Sequence, residues 1–373
     1  MIRAQKNIIL NDLEKKIVLL VGPRQSGKTW LAKDIAKSFK NSLYLNYDQI
    51  KDRKIIHDQS WLDNTDLLIF DELHKMDDWK NYIKGVFDTK PESMRILVTS
   101  SARLDIYDHV GDSLAGRYFR HRLLPLSLSE LRQCAQDSNI DKLLERGGFP
   151  EPYFASSITE ANRWRLQYIN SLLSTDIFEI EAIHDLRAMR LVFDLLRNRV
   201  GSPISYQSLA EDVCVSPTTI KKYIQILEAV FIIFSVTPYS RNIARSLLKE
   251  PKIYFFDTAL VQGDDGAKFE NLVALSLLKH VHAKVDCNAQ EYALHYLRTK
   301  DGHEVDFALV NNQAIETMIE VKLSDEVISK TLRKFKTQYQ YTAIQLVKNL
   351  KKEYQEDGIQ VLKAEKFLEQ LFL

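Results

Sequence analysis

The stretch Gly22-Pro23-Arg24-Gln25-Ser26-Gly27-Lys28-Thr29 fits the spacing G-x-x-x-x-G-K-[ST], which suits a loop that holds phosphates. Its glycines let backbone N–H groups turn inward, and a helix starting there adds the positive end of its dipole. Lys28 would reach the β- and γ-phosphates, the Thr29 hydroxyl would sit on Mg²⁺, and Trp30 would open the helix. A second constellation is Asp71-Glu72, two acids at the end of the apolar run Leu67-Leu68-Ile69-Phe70. Asp71 would hold Mg²⁺ through water, and Glu72 would orient or deprotonate an attacking water. Thr99 and Ser101 end a third apolar run, 95–101. Either hydroxyl would hydrogen-bond the γ-phosphate or the water, or else cap a helix expected over 102–109. Arg117 either projects into a neighbouring subunit's site, to stabilise charge on the γ-phosphate, or is a surface arginine.

These residues need a sheet to bring them together. Ile17-Val18-Leu19-Leu20 reads as a buried parallel strand, followed by the loop and then by helical spacing over 30–36. An alternating strand over 42–48 ends on Asp48, and a last strand is expected over 119–126. In a parallel sheet such strand ends converge on the ligand crevice. The chain of 373 residues is long enough for two to four units. Its 45% hydrophobic and 27% charged residues suit a globular protein, not a disordered or fibrous one. A formal net charge of +1 means that nucleic acid would have to be met by local basic patches. Cys134, Cys214 and Cys287 show no pairing pattern, which predicts buried thiols in a reducing cytosol. No signal peptide is expected at the N-terminus, and the apolar run 230–234 is too short to span a bilayer. By elimination the expected location is cytoplasmic.

With the loop at 22–29, the Asp71-Glu72 pair, the hydroxyl-tipped strand and Arg117, the sequence resembles AAA+ ATPases. Further stretches narrow the resemblance: Asp71-Glu72-Leu73-His74-Lys75 with Trp79, Leu114-Ala115-Gly116-Arg117, Leu124-Pro125-Leu126-Ser127 with Glu130-Leu131, and Gly147-Gly148-Phe149-Pro150-Glu151. They are similar to prokaryotic AAA+ ATPases in which the ATPase precedes a domain of unknown function. The resemblance implies an α/β fold with a P-loop sheet of order 5-1-4-3-2, a helical lid, a winged helix and a C-terminal restriction-endonuclease-like α/β domain. It also implies ATP and Mg²⁺ as cofactors and a homo-oligomer with Arg117 acting in trans. Glu151 stands where many AAA+ proteins place a lid arginine, with Arg163 and Arg165 as candidate replacements.

Residues 157–200 have helical periodicity, with Trp164, Tyr168, Leu172 and Leu173 on one face. Asp176-Ile177-Phe178-Glu179 and then Arg187, Arg190, Arg197 and Arg199 read as a solvated charged face. Gly201-Ser202-Pro203 marks a linker. A short helix over 205–212 and a second opened by Ser216-Pro217 precede apolar β-runs at 232–236 and 252–256. That order is the pattern of a winged helix. Its Thr219, Lys221, Lys222 and Gln225 would approach a DNA groove, and Arg241, Arg245 and Lys249 its phosphates, unless the domain serves packing alone.

The last segment, from Gly263, resembles a PD-(D/E)xK nuclease core: Glu270 on a helix, Asp306 on a hairpin and Glu320-Val321-Lys322 on a strand. Glu320 and Lys322 lie two apart and share one strand face. The resemblance makes Glu270, Asp306 and Glu320 metal ligands and Lys322 the residue that positions water, with Asp306, Glu320 and Lys322 catalytic. Lys330, Arg333, Lys334 and Lys336 would hold a nucleic-acid backbone. The alternative is a nuclease fold retained for assembly. The expected domains are 1–145 (ATPase core), 146–200 (lid), 201–262 (winged helix) and 263–373 (nuclease-like). The function expected is an ATPase acting on DNA, and the competing one a nucleotide-controlled signalling or defence switch.

Overall fold

The computed structural model describes residues 3–101, 114–173, 185–240, 249–299, 301–324 and 327–373. The helix expected over 102–109, the Asp176–Glu179 stretch, and Arg241 and Arg245 lie outside them. The chain forms two compact units, Met1–Leu124 and Pro125–Leu373.

The first unit is built on five parallel strands: β1 (Ile17–Val21), β2 (Ser42–Asn46), β3 (Leu67–Asp71), β4 (Arg95–Ser100) and β5 (Tyr118–Arg122). Their order across the sheet is β2-β3-β4-β1-β5. β1 and β3 are buried along their whole length because apolar groups cover both faces of the sheet. Alternation sorts them: Ile17, Leu19, Val21, Leu68 and Phe70 pack in one layer with Trp79, Ile83 and Val86. Val18, Leu20, Ile69 and Leu97 pack in the other with Ile9, Leu13, Leu31 and Ile35. β5 ends at Arg122, four residues before the expected Leu126. Pro125 has no N–H to offer a ladder, so the sheet pairing stops short of it.

The second unit opens with helices Leu128–Gln133, Ile140–Arg146, Pro150–Phe154, Ile158–Ser171 and Leu186–Arg197. Trp164 stacks on Tyr168 at 4.7 Å between centroids, and both are buried with Leu172 and Leu173. Two helices, Tyr206–Val213 and Pro217–Ala229, then precede an antiparallel ribbon of β6 (Ile233–Val236) and β7 (Lys252–Phe255). Ser216 caps the second helix by accepting from the Thr219 N–H at 3.0 Å.

A 24-residue helix, Asp265–Asn288, leads into a six-stranded mixed sheet. Its strands are β8 (Tyr292–Arg298), β9 (Glu304–Asn311), β10 (Ala314–Lys322), β11 (Thr342–Val347), β12 (Tyr354–Glu356) and β13 (Ile359–Lys363), in the order β12-β13-β11-β10-β9-β8. The helix Lys330–Tyr339 covers this sheet with Leu332 and Phe335. Of the three cysteines, Cys134 is buried but Cys214 is exposed, which corrects the expectation of three buried thiols. Cys214 ends a helix in a left-handed conformation (φ 60°), at a turn that leaves its side chain in solvent. Among the described residues no helix is long and apolar enough to cross a membrane.

Candidate functional site

β1 ends at Val21, and the loop after it closes tightly on the chain beyond β5. A Cβ on Gly22 would lie 2.3 Å from the Leu123 carbonyl oxygen, so only glycine fits there. Gly27 takes a left-handed φ of 96° and launches the helix Lys28–Ala36. Lys28 is 5% exposed. Its Nζ donates to the carbonyl oxygens of Gly22 at 2.9 Å and Pro23 at 2.8 Å. Burial depresses its pKa to about 8, against the opposing pull of Glu72 and Asp71. Arg3 is buried next to the loop, donating to the Ser26 carbonyl at 2.5 Å and to that of Leu124 at 2.7 Å. Among the described residues the buried Ser26 hydroxyl finds no hydrogen-bond partner.

The strand ends complete the site. Thr29 Oγ1 donates to Asp71 Oδ2 at 3.2 Å, and the Thr99 and Tyr44 hydroxyls donate to the same carboxylate. Glu72 follows in a left-handed conformation (φ 56°) that turns it off the strand axis. Ser101 Oγ donates to Glu72 Oε2 at 3.0 Å, and His74 Nε2 lies 3.5 Å from that oxygen. Burial raises the Glu72 pKa and pushes the His74 imidazole down to about 4. His74 Nδ1 meets Ser100 Oγ at 2.9 Å. Thr29 and Asp71 present hard oxygens next to the loop, a donor set that fits Mg²⁺ completed by water and phosphate oxygens. Trp30 is 38% exposed on the helix, and Arg24 and Gln25 form the turn between the two glycines, Gln25 at φ 59°.

Arg117 stands at the start of β5, where its carbonyl accepts from the Ile17 N–H at 3.0 Å. It lies at the end of the sheet's strands opposite the phosphate loop, which follows the far end of the neighbouring β1. Its guanidinium pairs with Asp88 at 2.9 and 3.2 Å. Arg165 is buried and donates to Asp257 Oδ2 at 2.8 Å and to the Arg146 carbonyl at 2.8 Å. It is thus engaged within the second unit, whereas Arg163 is exposed.

Glu270, Asp306, Glu320 and Lys322 come together in the second unit, joined by Lys252, Glu304 and Tyr254, which no motif marks. Lys252, 1% exposed on β7, places its Nζ 2.7 Å from Glu304 Oε1, 3.5 Å from Glu270 Oε1 and 3.6 Å from Asp306 Oδ1. Tyr254 OH donates to Glu270 Oε1 at 2.7 Å, and the Val321 N–H to Asp306 Oδ2 at 2.8 Å. Lys322 pairs with Glu320 at 2.9 Å. Burial first, and Asp306 second, raises the pKa of both Glu270 and Glu320. Among the described residues no group of three or more His, Cys, Asp or Glu side chains is arranged to hold a metal ion. In the expected Glu270–Asp306–Glu320 metal set, the Lys252 ammonium lies against Glu270 and Asp306, while one buried oxygen of Glu320 has no hydrogen-bond partner among the described residues. On the helix Lys330–Tyr339, Arg333 pairs with Glu356 and Asp357, and Lys336 donates to the Tyr341 carbonyl at 2.8 Å.

Motif spacing does not mark Arg3, Tyr44, His74, Lys252, Tyr254 or Glu304 as site residues. Only His74, next to the acid pair, carried a sequence signal, by its position in Asp71-Glu72-Leu73-His74.

Comparison with known proteins divides the chain in three. Residues 14–132 match the family model described as an AAA domain. Residues 137–265 match a domain of unknown function (DUF8612), and residues 265–367 another (DUF4143). An uncharacterized protein of Mycobacterium tuberculosis is 28% identical over 305 residues, covering 78% of this chain and 66% of its own length. The chain thus spans just under two thirds of that relative. An uncharacterized protein of Methanocaldococcus jannaschii is 23% identical over 353 residues, covering 85% of this chain and 77% of the relative. Among solved structures, the Walker-type ATPase of Pyrococcus abyssi aligns with a TM-score of 0.44 at 13% identity, over 69% of this chain and 93% of that one. The Thermotoga maritima RuvB Holliday junction branch migration motor aligns at 0.35 and 18% identity, over 66% and 96%. On the AAA match and the geometry of the loop, residues 14–132 carry an ATPase-like AAA domain.

Proposed function

We propose that the first unit binds ATP with Mg²⁺ and hydrolyses it, using Glu72 to draw a proton from the attacking water. The observation that carries this reading is the meeting of Lys28, Thr29, Asp71, Glu72 and Ser101 at one end of a parallel sheet. Thr29 and Asp71 would hold the ion, which neutralises phosphate charge when bound. Lys28 would exchange the Gly22 and Pro23 carbonyls for phosphate oxygens, gaining a counter-charge that the loop carbonyls do not supply. Ser101 and His74 fix the Glu72 carboxylate, and its raised proton affinity suits a base that must accept a proton near neutral pH. Arg117 would act on a neighbouring subunit's γ-phosphate, which requires it to leave Asp88 and makes hydrolysis depend on a homo-oligomer.

DNA is the partner this reading assigns to the second unit, as a winged helix. Lys221, Lys222 and Gln225 are exposed on one side of the helix Pro217–Ala229, while Ile220, Tyr223, Ile224 and Leu227 are buried. An arrangement of this kind can present a helix to a groove. The alternative, a nucleotide-controlled switch whose nuclease-like domain serves assembly, is favoured by the ammonium among its acids, and no cleavage step is assigned to that domain. ATP turnover measured alone and with single-stranded, duplex and branched DNA tests the proposal. Stimulation by one of these DNAs, lost in Lys221→Glu/Lys222→Glu, is the expected result; turnover indifferent to all three removes DNA as the partner.

A further inference from the structure

Lys252 stands at the first position of β7 and belongs to no motif. Its side chain runs under the Tyr296 ring, 5.4 Å from the centroid, and ends among carboxylates from the helix Asp265–Asn288 (Glu270) and from β9 (Glu304 and Asp306). We propose that this ammonium is the resident cation of the cluster, standing where a nuclease reading needs a divalent metal. The cluster then clamps the β6–β7 ribbon onto the helix and β9, and does not cleave phosphodiesters.

Three observations carry this. Lys252 is enclosed to the last per cent of its surface, and a buried ammonium stays charged only among close counter-charges, which three carboxylates supply. Donors from the chain also reach each of the other acids: Tyr254 OH on Glu270, the Val321 N–H on Asp306, and Lys322 on one oxygen of Glu320, whose other, buried oxygen has no partner among the described residues. Arg298 lies 3.9 Å from Glu304, so the four carboxylates meet three cations drawn from the chain itself. Magnesium asks for near-octahedral oxygens at about 2.0–2.1 Å. A dication on these acids would have to displace the amine, or lie against it at strongly repulsive range.

This inference concerns the second unit and is independent of the ATP site. The direct test titrates the full-length, nucleotide-free protein with Mn²⁺ by calorimetry, comparing wild type with Glu320→Gln and Asp306→Asn. Superimposable isotherms are expected, together with no nicking of supercoiled plasmid in Mg²⁺ or Mn²⁺. Mn²⁺ binding by wild type that either substitution abolishes, or nicking lost in Asp306→Asn, overturns the proposal. Lys252→Met supplies a second readout. In EDTA it should melt several degrees below wild type, with Mn²⁺ recovering more of its melting temperature than it adds to wild type. Melting at the wild-type temperature in EDTA would show that the lysine clamps nothing. If Lys252→Met does not fold, the titrations of the other two variants still decide.

Discussion

Lys28 and Lys252 are both buried lysines with carboxylates nearby, yet their ammonium groups end on different partners. Lys28 donates to two neutral carbonyls of its own loop, with Asp71 and Glu72 acting only through space, and its proton affinity falls. Lys252 ends against Glu304, Glu270 and Asp306, and its proton affinity rises above the ordinary lysine range despite burial. Desolvation acts against the charge in both cases. What differs is the counter-charge within reach. The first lysine is short of an anion, as a phosphate-binding group must be; the second has its anions built in. Similar residue types therefore make one site that is ready to take a ligand and one that is complete without it.

Changes at the two sites should diverge accordingly. The largest effect is expected at Glu72: Glu72→Gln should lower ATP turnover by about 10²–10⁴-fold while nucleotide binding is retained. Normal turnover would move the base elsewhere. Lys252→Met should cost up to about 3 kcal/mol of stability, since it leaves three half-buried carboxylates without the ammonium between them. Chemical denaturation checks this, and a variant as stable as wild type would erase the contrast between the lysines. Lys28→Met should move the other way. A pKa lowered from 10.5 to about 8 means that the buried charge costs roughly 3 kcal/mol at neutral pH. The nucleotide-free variant should thus unfold at a higher denaturant concentration than wild type.

A pH series refines the first site. The folded pKa of His74, about 4, lies below its ordinary 6.5, so the unfolded chain binds more protons between those values. Stability should rise with pH across that window and fall by up to about 3 kcal/mol as pH drops through it. His74→Gln should flatten this slope; an unchanged slope would mean that other groups govern it. The smallest effect on stability belongs to Arg117, whose pairing with Asp88 is solvent-exposed. Arg117→Ala should leave the melting temperature unchanged while slowing hydrolysis. A wild-type rate in that variant would leave Arg117 as a surface residue.

The first unit was largely legible in the sequence because its signals are local. A fully buried strand reads as an apolar run, and Asp71-Glu72 and Gly22–Thr29 sit at the ends of such runs. Thr99 and Ser101 read as ligand or cap residues, but their hydroxyls meet Asp71 and Glu72 across the sheet, a contact that depends on which strands are neighbours. Arg3 and Tyr44 carry no motif for the same reason: each reaches the site from a distant part of the chain. β11, β12 and β13 carry no comparable motif in the sequence. The three-residue β12 is half-buried or exposed, and its pairing is set by β13. Lys252 left no trace at all, since a lysine beginning an apolar run reads as a strand end facing water. Only the packing of β7 against the helix Asp265–Asn288 and β9 turns it inward.

The contrast between the lysines is tested most directly by calorimetric titration of wild type, Lys28→Met and Lys252→Met with ATP in Mg²⁺. Loss of a charge-assisted contact should weaken binding to Lys28→Met by about tenfold to a hundredfold, while folded Lys252→Met binds as wild type does. Equal affinity of wild type and Lys28→Met would contradict the account at its root.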